Sequence, residues 1–245
     1  MILNVVLKMI LRSWWRNKVF FLVSVASLAL GLACTNLLMT YFVHEHGLEG
    51  RNPDRDRMVF LRQDDPMTEG KRVAFAGAEI PPQLKQSYAE VEDFLRLGKL
   101  DLLYCKVNEQ KVKGDFKMLS ADTTLTSFFD YRTEEGSLSQ VLCQPGKVAL
   151  SEACARRLFG GKQAVGKQVE AHFRFGEVRT YEVAAVLKKR EQSLLQFDML
   201  IAHDPDFFWG GLTLLKLTPG TDAGHLADKL NEDKVPTLMP GQTKY

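Results

Sequence analysis

The sequence predicts an α+β protein: an N-terminal interfacial helix and one transmembrane helix, then a mixed α/β extracytoplasmic domain of two subdomains. Three observations lead there. Residues 19–43 form a run of 25 without a charged side chain. The stretch before it carries Lys8, Arg12, Arg16 and Lys18 and no acidic residue. The stretch after it mixes short β-branched and aromatic runs with short amphipathic helical patterns, the signature of one or two α+β cores.

The run VFFLVSVASLALGLACTNLLMTYFV comes first because the rest depends on it. As a helix it measures about 37 Å, enough to cross a hydrocarbon layer of about 30 Å with some tilt. A buried helix of this length in a soluble protein carries a polar face, and this one does not. In lipid a helix satisfies its own backbone, as no other single segment can. The positive flank places the N-terminus in the cytoplasm and residues 44–245 outside it. Removing the four flanking cations from the 32 Lys and Arg leaves 28 against 30 Asp and Glu. That balance gives no electrostatic reason for a nucleic acid or an anionic surface as partner.

Within residues 1–18, Asn4, Lys8, Arg12 and Arg16 recur every four positions as a polar stripe. Leu3, Val6, Leu7, Ile10, Leu11 and Trp14 fill most of the remainder, and Trp14 and Trp15 sit side by side. This pattern predicts a helix lying in the cytoplasmic interface, in contact with lipid. A plain cytoplasmic extension of the span is the simpler alternative. Inside the span, Ser27, Gly31 and Thr35 are spaced by four, and Asn36 seeks a hydrogen-bond partner. Such a stripe suits close packing against other membrane helices, although small residues can also face lipid.

Processing signals fit less well. The apolar run is too long for a cleaved secretory signal. Gly31-Leu32-Ala33-Cys34 has the outline of a lipidation box, but the aliphatic residue three places before the cysteine is missing and the run continues to Val43. The other cysteines, Cys105, Cys143 and Cys154, are odd in number and unevenly spaced. One disulfide is open to them in an oxidising compartment; buried thiols are the alternative.

In chain order, residues 44–57 read as a polar exit loop. Its His44-Glu45-His46 lacks a third ligand and the spacing of a metal helix. Met58–Gln63 and Val73–Ala76 read as strands, and Pro81-Pro82 open a helix to Tyr88. Val91–Leu97, Leu102–Val107 and Lys117–Ala121 read as three strands, and Thr123–Phe129 as a helix. Thr133–Gly146 is the expected subdomain boundary. Val148–Leu150 is a strand that leads into a helix capped by Ser151, with Glu152 in its first turn and Gly160-Gly161 at its end. Val169–Phe175 and Arg179–Leu187 form a hairpin around Gly176. Leu212–Leu217 is a strand, Pro219-Gly220 a turn, and Asp222–Glu232 a helix with Ala223, Leu226, Ala227 and Leu230 on one face.

Catalytic, cofactor and metal residues are not expected. Gly161 to Lys167 match the first seven positions of a phosphate-binding loop, but Gln168 stands where a hydroxyl is required. A helix precedes the motif and a strand follows it, the reverse of the order that points a helix N-terminus at phosphate. Asp64-Asp65 and Glu134-Glu135 sit in turn-like polar stretches and read as solvated.

The order of certain short blocks resembles the periplasmic core domain of MacB/FtsX-type ABC transporter permeases. They are Val148-Ala149-Leu150-Ser151-Glu152, Ala155, Leu158-Phe159-Gly160, Val165-Gly166-Lys167, Tyr181-Glu182-Val183 and Ala185-Val186. Ser193, Leu195 to Asp198 and Leu215 to Thr221 continue the series, and Leu28 to Ala33, Asn52 and Arg57 match its start. Ala185 departs from the pattern, standing where the family usually has glycine. Arg190 to Gln192 replace a usual proline and asparagine, and the tyrosine-aspartate expected after the span is absent. The resemblance implies a permease subunit, here its N-terminal part, in the bacterial inner membrane. It implies a cytoplasmic ABC ATPase as partner, a homo- or heterodimer of permeases, and export or extraction of a substrate. Three further membrane helices are expected downstream in such a permease. A single-pass anchored binding or scaffold module is the alternative.

Overall fold

The computed structural model describes residues 18–47, 52–64, 72–161, 163–188, 195–204, 210–233 and 235. The expected interfacial helix lies outside them but for Lys18, as do Lys162 and Ser193. The chain divides into two compact units, residues 1–50 and 51–245.

In the first unit, α1 runs from Lys18 to Gly47. Residues 18–41 are long and apolar enough to cross a membrane. The helix passes Val43, so residues 44–47 are its last turn and not the start of a loop. Polar side chains end an apolar run without ending a helix, whose backbone bonds continue. The Thr35 hydroxyl donates to the Gly31 carbonyl at 2.9 Å and the Thr40 hydroxyl to Asn36 at 2.8 Å. Both threonines are thereby satisfied inside their own helix.

The second unit is built on an 11-stranded sheet with short helices. Its strands are β1 (Met58–Phe60), β4 (Ala76–Gly77), β5 (Val91–Val107), β6 (Gln110–Lys113), β7 (Lys117–Ala121), β8 (Thr133–Gly136), β9 (Lys147–Ser151), β10 (Gln168–Phe173), β11 (Val178–Leu187), β12 (Met199–Ala202) and β13 (Gly210–Leu217). A separate two-stranded sheet joins β2 (Gln63–Asp64) to β3 (Arg72–Val73). The helices are α2 (Ile80–Ser87), α3 (Leu125–Phe128), α4 (Leu138–Cys143), α5 (Glu152–Phe159) and α6 (Ala223–Glu232). The main sheet runs β1-β13-β5-β10-β11-β9-β12-β7, and β7 also pairs with β5. The six strands from β5 to β7 therefore close on themselves.

β5 is the spine. The sequence suggests two strands here, but the structure has one of 17 residues. Gly98 to Asp101 bond to β7 instead of breaking the ladder, with Gly98 facing Ser120 and Asp101 facing Lys117. Before them β5 pairs with β13, and after them with β10 and β6. A polar stretch thus marks a change of neighbour, not a turn. β5 also contributes to all three cores. Leu100, Cys105 and Val107 join the core inside the closed strands, with Val148, Leu150, Met199 and Ile201. Leu95 and Leu97 join the layer under α3 and α4, with Phe128, Val141 and Leu200. Val91 meets Leu84, Leu215, Leu226 and Leu230 under α2 and α6. Each fully buried leucine contributes about 1.5–3 kcal/mol.

The helix ends follow their residues. Ser151 accepts the Cys154 amide at 3.2 Å, and Gly160 closes α5 at φ 65°. Asp222 caps α6 by accepting the Gly224 and His225 amides at 2.7 and 3.0 Å. Pro81 and Pro82 stand in the first turn of α2, and Gly176 turns the β10–β11 hairpin at φ 87°. Other elements depart from expectation. The first strand stops at Phe60, and Gln63 belongs to the small sheet. The strand expected over Val73–Ala76 is broken in the middle: Val73 ends β3 and Ala76 begins β4. The helix expected over Thr123–Phe129 narrows to α3.

Segment 133–146 is woven into the sheet through β8, which pairs with β11, and α4, which buries Leu138, Val141 and Leu142. At Gly136 a Cβ would stand 2.0 Å from the Ala184 carbonyl oxygen, so no other residue fits. Its register partner Ala185 is fully buried in the same layer.

Candidate functional site

The side chains that tie residues 52–57 to the sheet form a connected polar cluster. Asn52 starts it. Its amide nitrogen donates to the Phe128 carbonyl at 2.5 Å, and its side-chain oxygen accepts the Asp54 amide at 3.0 Å. That local bond is the Asx-type turn that asparagine favours. It leads into a 3₁₀ turn over Arg55–Arg57, where the Arg57 amide donates to Asp54 at 2.9 Å.

Arg57 then uses its planar fork on three acceptors. It pairs with the carboxylates of Asp54 and Glu92 and donates to the Leu217 carbonyl at 2.8 Å. Lys216 reaches the same two acids, 2.5 Å from Asp54 and 3.5 Å from Glu92. Two cations and two carboxylates thus form a neutral ring. Lys216 is 9% exposed, so its charge depends on this company.

The electrostatics follow from the contacts. The Lys216 and Arg57 hydrogen bonds hold the Asp54 carboxyl below its usual range. The Arg57 hydrogen bond does the same for Glu92. Lys216 and Arg57 are raised, each chiefly by its bond to Asp54.

The sheet delivers these groups. Met58 faces Lys216 and Val59 faces Leu215 between β1 and β13, and Lys216 faces Asp93 between β13 and β5. Next to the ring, the Thr218 amide donates to the Glu90 carbonyl at 2.9 Å, and Lys229 of α6 binds the Glu90 carboxylate at 2.7 Å. Asn52, Arg57 and the Leu215–Thr221 block are distant in sequence and meet here. Asp54 and Glu92 went unnoticed in the sequence because two acids in polar surroundings look like any solvated surface. Glu92 follows Val91 at the start of a strand, and only the pairing with β13 brings it to Arg57.

A second meeting point involves the phosphate-loop mimic. The Gly166 amide donates to Val183 at 2.8 Å and the Lys167 amide to Ala164 at 3.1 Å. The Lys167 ammonium sits 4.8 Å from the Phe159 ring centroid. α5 precedes the motif and β10 follows it, so this glycine-rich turn returns the chain to the sheet. His44-Glu45-His46 lies at the end of α1 with side chains outside the described residues. No group of three His, Cys, Asp or Glu among the described residues is placed to hold a metal. Cys105, Cys143 and Cys154 are all free thiols.

A single apolar helix long enough to cross a membrane, ahead of a mixed α/β domain, fits a class: domains held at a membrane by an N-terminal anchor. Within that class, the chain belongs to the MacB-like periplasmic core domain family, whose model matches residues 21–233. Solved structures share the fold. A domain assigned to a permease protein of Porphyromonas gingivalis aligns with a TM-score of 0.60 at 16% identity, over 78% of this chain and 92% of that one. The extracellular domain of the noncanonic ABC-type transporter YknZ from Gram-positive bacteria aligns at 0.51 and 16%, over 77% and 98%. The periplasmic region of MacB from Actinobacillus actinomycetemcomitans aligns at 0.48 and 11%, over 65% and 72%. For the first two, at these identities, the likeness is one of fold. No curated protein matches the chain.

Proposed function

We propose that this chain is the N-terminal part of an ABC transporter permease subunit in the bacterial inner membrane. A cytoplasmic ABC ATPase hydrolyses ATP, and the permease converts that work into motion of its extracytoplasmic domain for export or extraction of a substrate. Residues 1–18 lie at the cytoplasmic face, 19–43 span the membrane, and 44–245 act outside. The chain itself performs no catalysis. Two permeases, identical or different, share one transporter.

The observation that carries this reading is the ring of Asp54, Arg57, Glu92 and Lys216. Motion passed to such a domain has to enter through a segment that is fixed within it. Here residues 52–57 are fastened to α3, β5 and β13 at once. Displacement of that segment therefore carries the domain with it. Family membership supports the same reading. Asn36 adds a requirement for company, since its amide makes no hydrogen bond among the described residues and sits in an apolar span.

The test is to extract the full-length gene product from membranes, capture it, and identify its companions by mass spectrometry. Stoichiometric recovery of an ABC ATPase is the expected result. A stable single-pass protein recovered without an ATPase would replace this reading with an anchored binding or scaffold module.

A further inference from the structure

The closed strands contain a gap. β9 begins at Lys147, which faces Glu182 of β11, while Val148 faces Ile201 of β12. Beyond this point β11 extends back through Tyr181, Thr180 and Arg179, and the chain after β12 extends through His203 and Asp204. β9 does not continue between them. The chain turns away at Pro145-Gly146, with Gly146 at φ 78°. A cavity of about 540 Å³ occupies the position, within the range of small-ligand sites.

Backbone polarity in the gap follows from the ladder. The Glu182 amide donates toward β9, to the Gly146 carbonyl at 2.9 Å, and the Val183 amide donates toward β10, to Lys167 at 2.8 Å. Alternate residues of a strand point the same way. The N–H and C=O of Thr180 are therefore turned into the gap, where β9 would have paired with them. Strands lie about 4.8 Å apart, so two strands that have lost the one between them stand about one extended chain apart. Arg179 and Asp204 bridge the two sides at 2.6 Å. Tyr181 lines the gap and is 5% exposed.

We propose that this gap binds a short extended peptide segment, which takes the place of the missing strand and hydrogen-bonds to the backbone of Thr180. The cations at the gap already hold carboxylates, Lys147 with Glu182 at 2.7 Å and Arg179 with Glu177 at 2.7 Å and Asp204. Recognition therefore comes from backbone amides and not from net charge. This is strand addition inside a sheet, with specificity left to the side chains that flank the bound amides. The inference stands apart from the transporter reading and needs no ATPase.

The experiment uses the full chain in phospholipid nanodiscs and two probes: the blocked tripeptide acetyl-Ala-Val-Ala-amide and the same peptide methylated on its central amide nitrogen. Binding is followed by calorimetry, and protection of residues 178–182 by hydrogen exchange. Saturable binding of the first probe, with protection in that segment and at least tenfold weaker binding of the methylated probe, is expected. Thr180→Pro removes the donor facing the gap and should lose binding by a similar factor. No saturable binding of the unmethylated probe, or equal binding of both probes by the unaltered chain, overturns the proposal.

Discussion

The guanidinium of Arg57 reaches the carbonyl of Leu217 at 2.8 Å across 160 residues of chain. This bond joins the segment behind the membrane helix to the last strand of the sheet. A lysine in its place could not serve two carboxylates and a carbonyl from one plane. Arg57→Lys and Arg57→Ala should both lower the thermal midpoint, the alanine further, and both should speed amide exchange in β1. If β1 exchanges at its original rate in Arg57→Ala, the ring does not fasten the segment.

Acid should open the same ring. Asp54 and Glu92 titrate lower in the folded state than in the unfolded chain. Their contribution to stability is present above their ordinary values and is lost as pH falls through the folded ones. The stability gap between the unaltered protein and Asp54→Asn should therefore be widest near neutrality and close below about pH 4. The acids are open to solvent, so added salt should narrow the gap as well. A gap that is flat with pH in urea titrations would contradict this.

A more buried pair should matter more. The Arg96 side chain donates to Asp122 from Nε at 3.0 Å and Nη2 at 2.7 Å, and to the Ala78 carbonyl at 2.8 Å. Asp122 is 8% exposed. Arg96→Met should cost about 3 kcal/mol in chemical denaturation, because it leaves a carboxylate buried without its cation. Replacing both residues together, with Asp122→Asn, should cost less than the sum of the single changes. Additive costs would mean that the two do not act as a pair.

The three thiols beyond the span should differ in reactivity. Burial pushes Cys105 up to about 12 and raises Cys154 as well. Both side chains are enclosed in the first core, while Cys143 is exposed. At pH 8 a water-soluble thiol reagent should modify Cys143 in the native protein and reach Cys105 and Cys154 only on unfolding. Rapid native modification of Cys154 would show that α5 opens readily.

Around Gly31 no atom lies within 4 Å of an added Cβ in the isolated helix. Gly31→Leu should leave the fold of the second unit intact. If this face packs on neighbouring helices, the leucine should reduce recovery of the assembled complex in membrane extracts. Unchanged assembly would assign the stripe to lipid.

Legibility in the sequence followed locality. The α5 unit was readable because cap, helix and terminating glycines are consecutive, and the β10–β11 hairpin because Gly176 sits between alternating runs. α4 and β12 were missed. Leu138 to Cys143 is too short to show a helical period, and it forms because α3, β9 and β12 bury its face. Met199 to Ala202 is a four-residue apolar run in which Leu200 faces one core and its neighbours another. β6 follows a tight turn in which Asn108 and Glu109 take φ of 49° and 63°. Asparagine takes such angles more readily than most residues, but glutamate seldom does, and β6 is not legible in the sequence. Of the ring, Arg57 and Lys216 lay in the blocks that carry the resemblance, as does the adjoining Asn52, whereas Asp54 and Glu92 have no local signal.

The position of β13 constrains how the protein comes into being. It comes last in chain order among the described strands, yet it sits between β1 and β5, and β1 pairs with no other strand among the described residues. While the ribosome is still extending the chain, the earliest strand has nowhere to dock, and Asp54, Arg57 and Glu92 wait in water without Lys216. Closing this sheet therefore requires inserting a late segment between earlier ones, a long-range closure that is slow for any chain. The apolar helix is made long before the sheet that follows it can close.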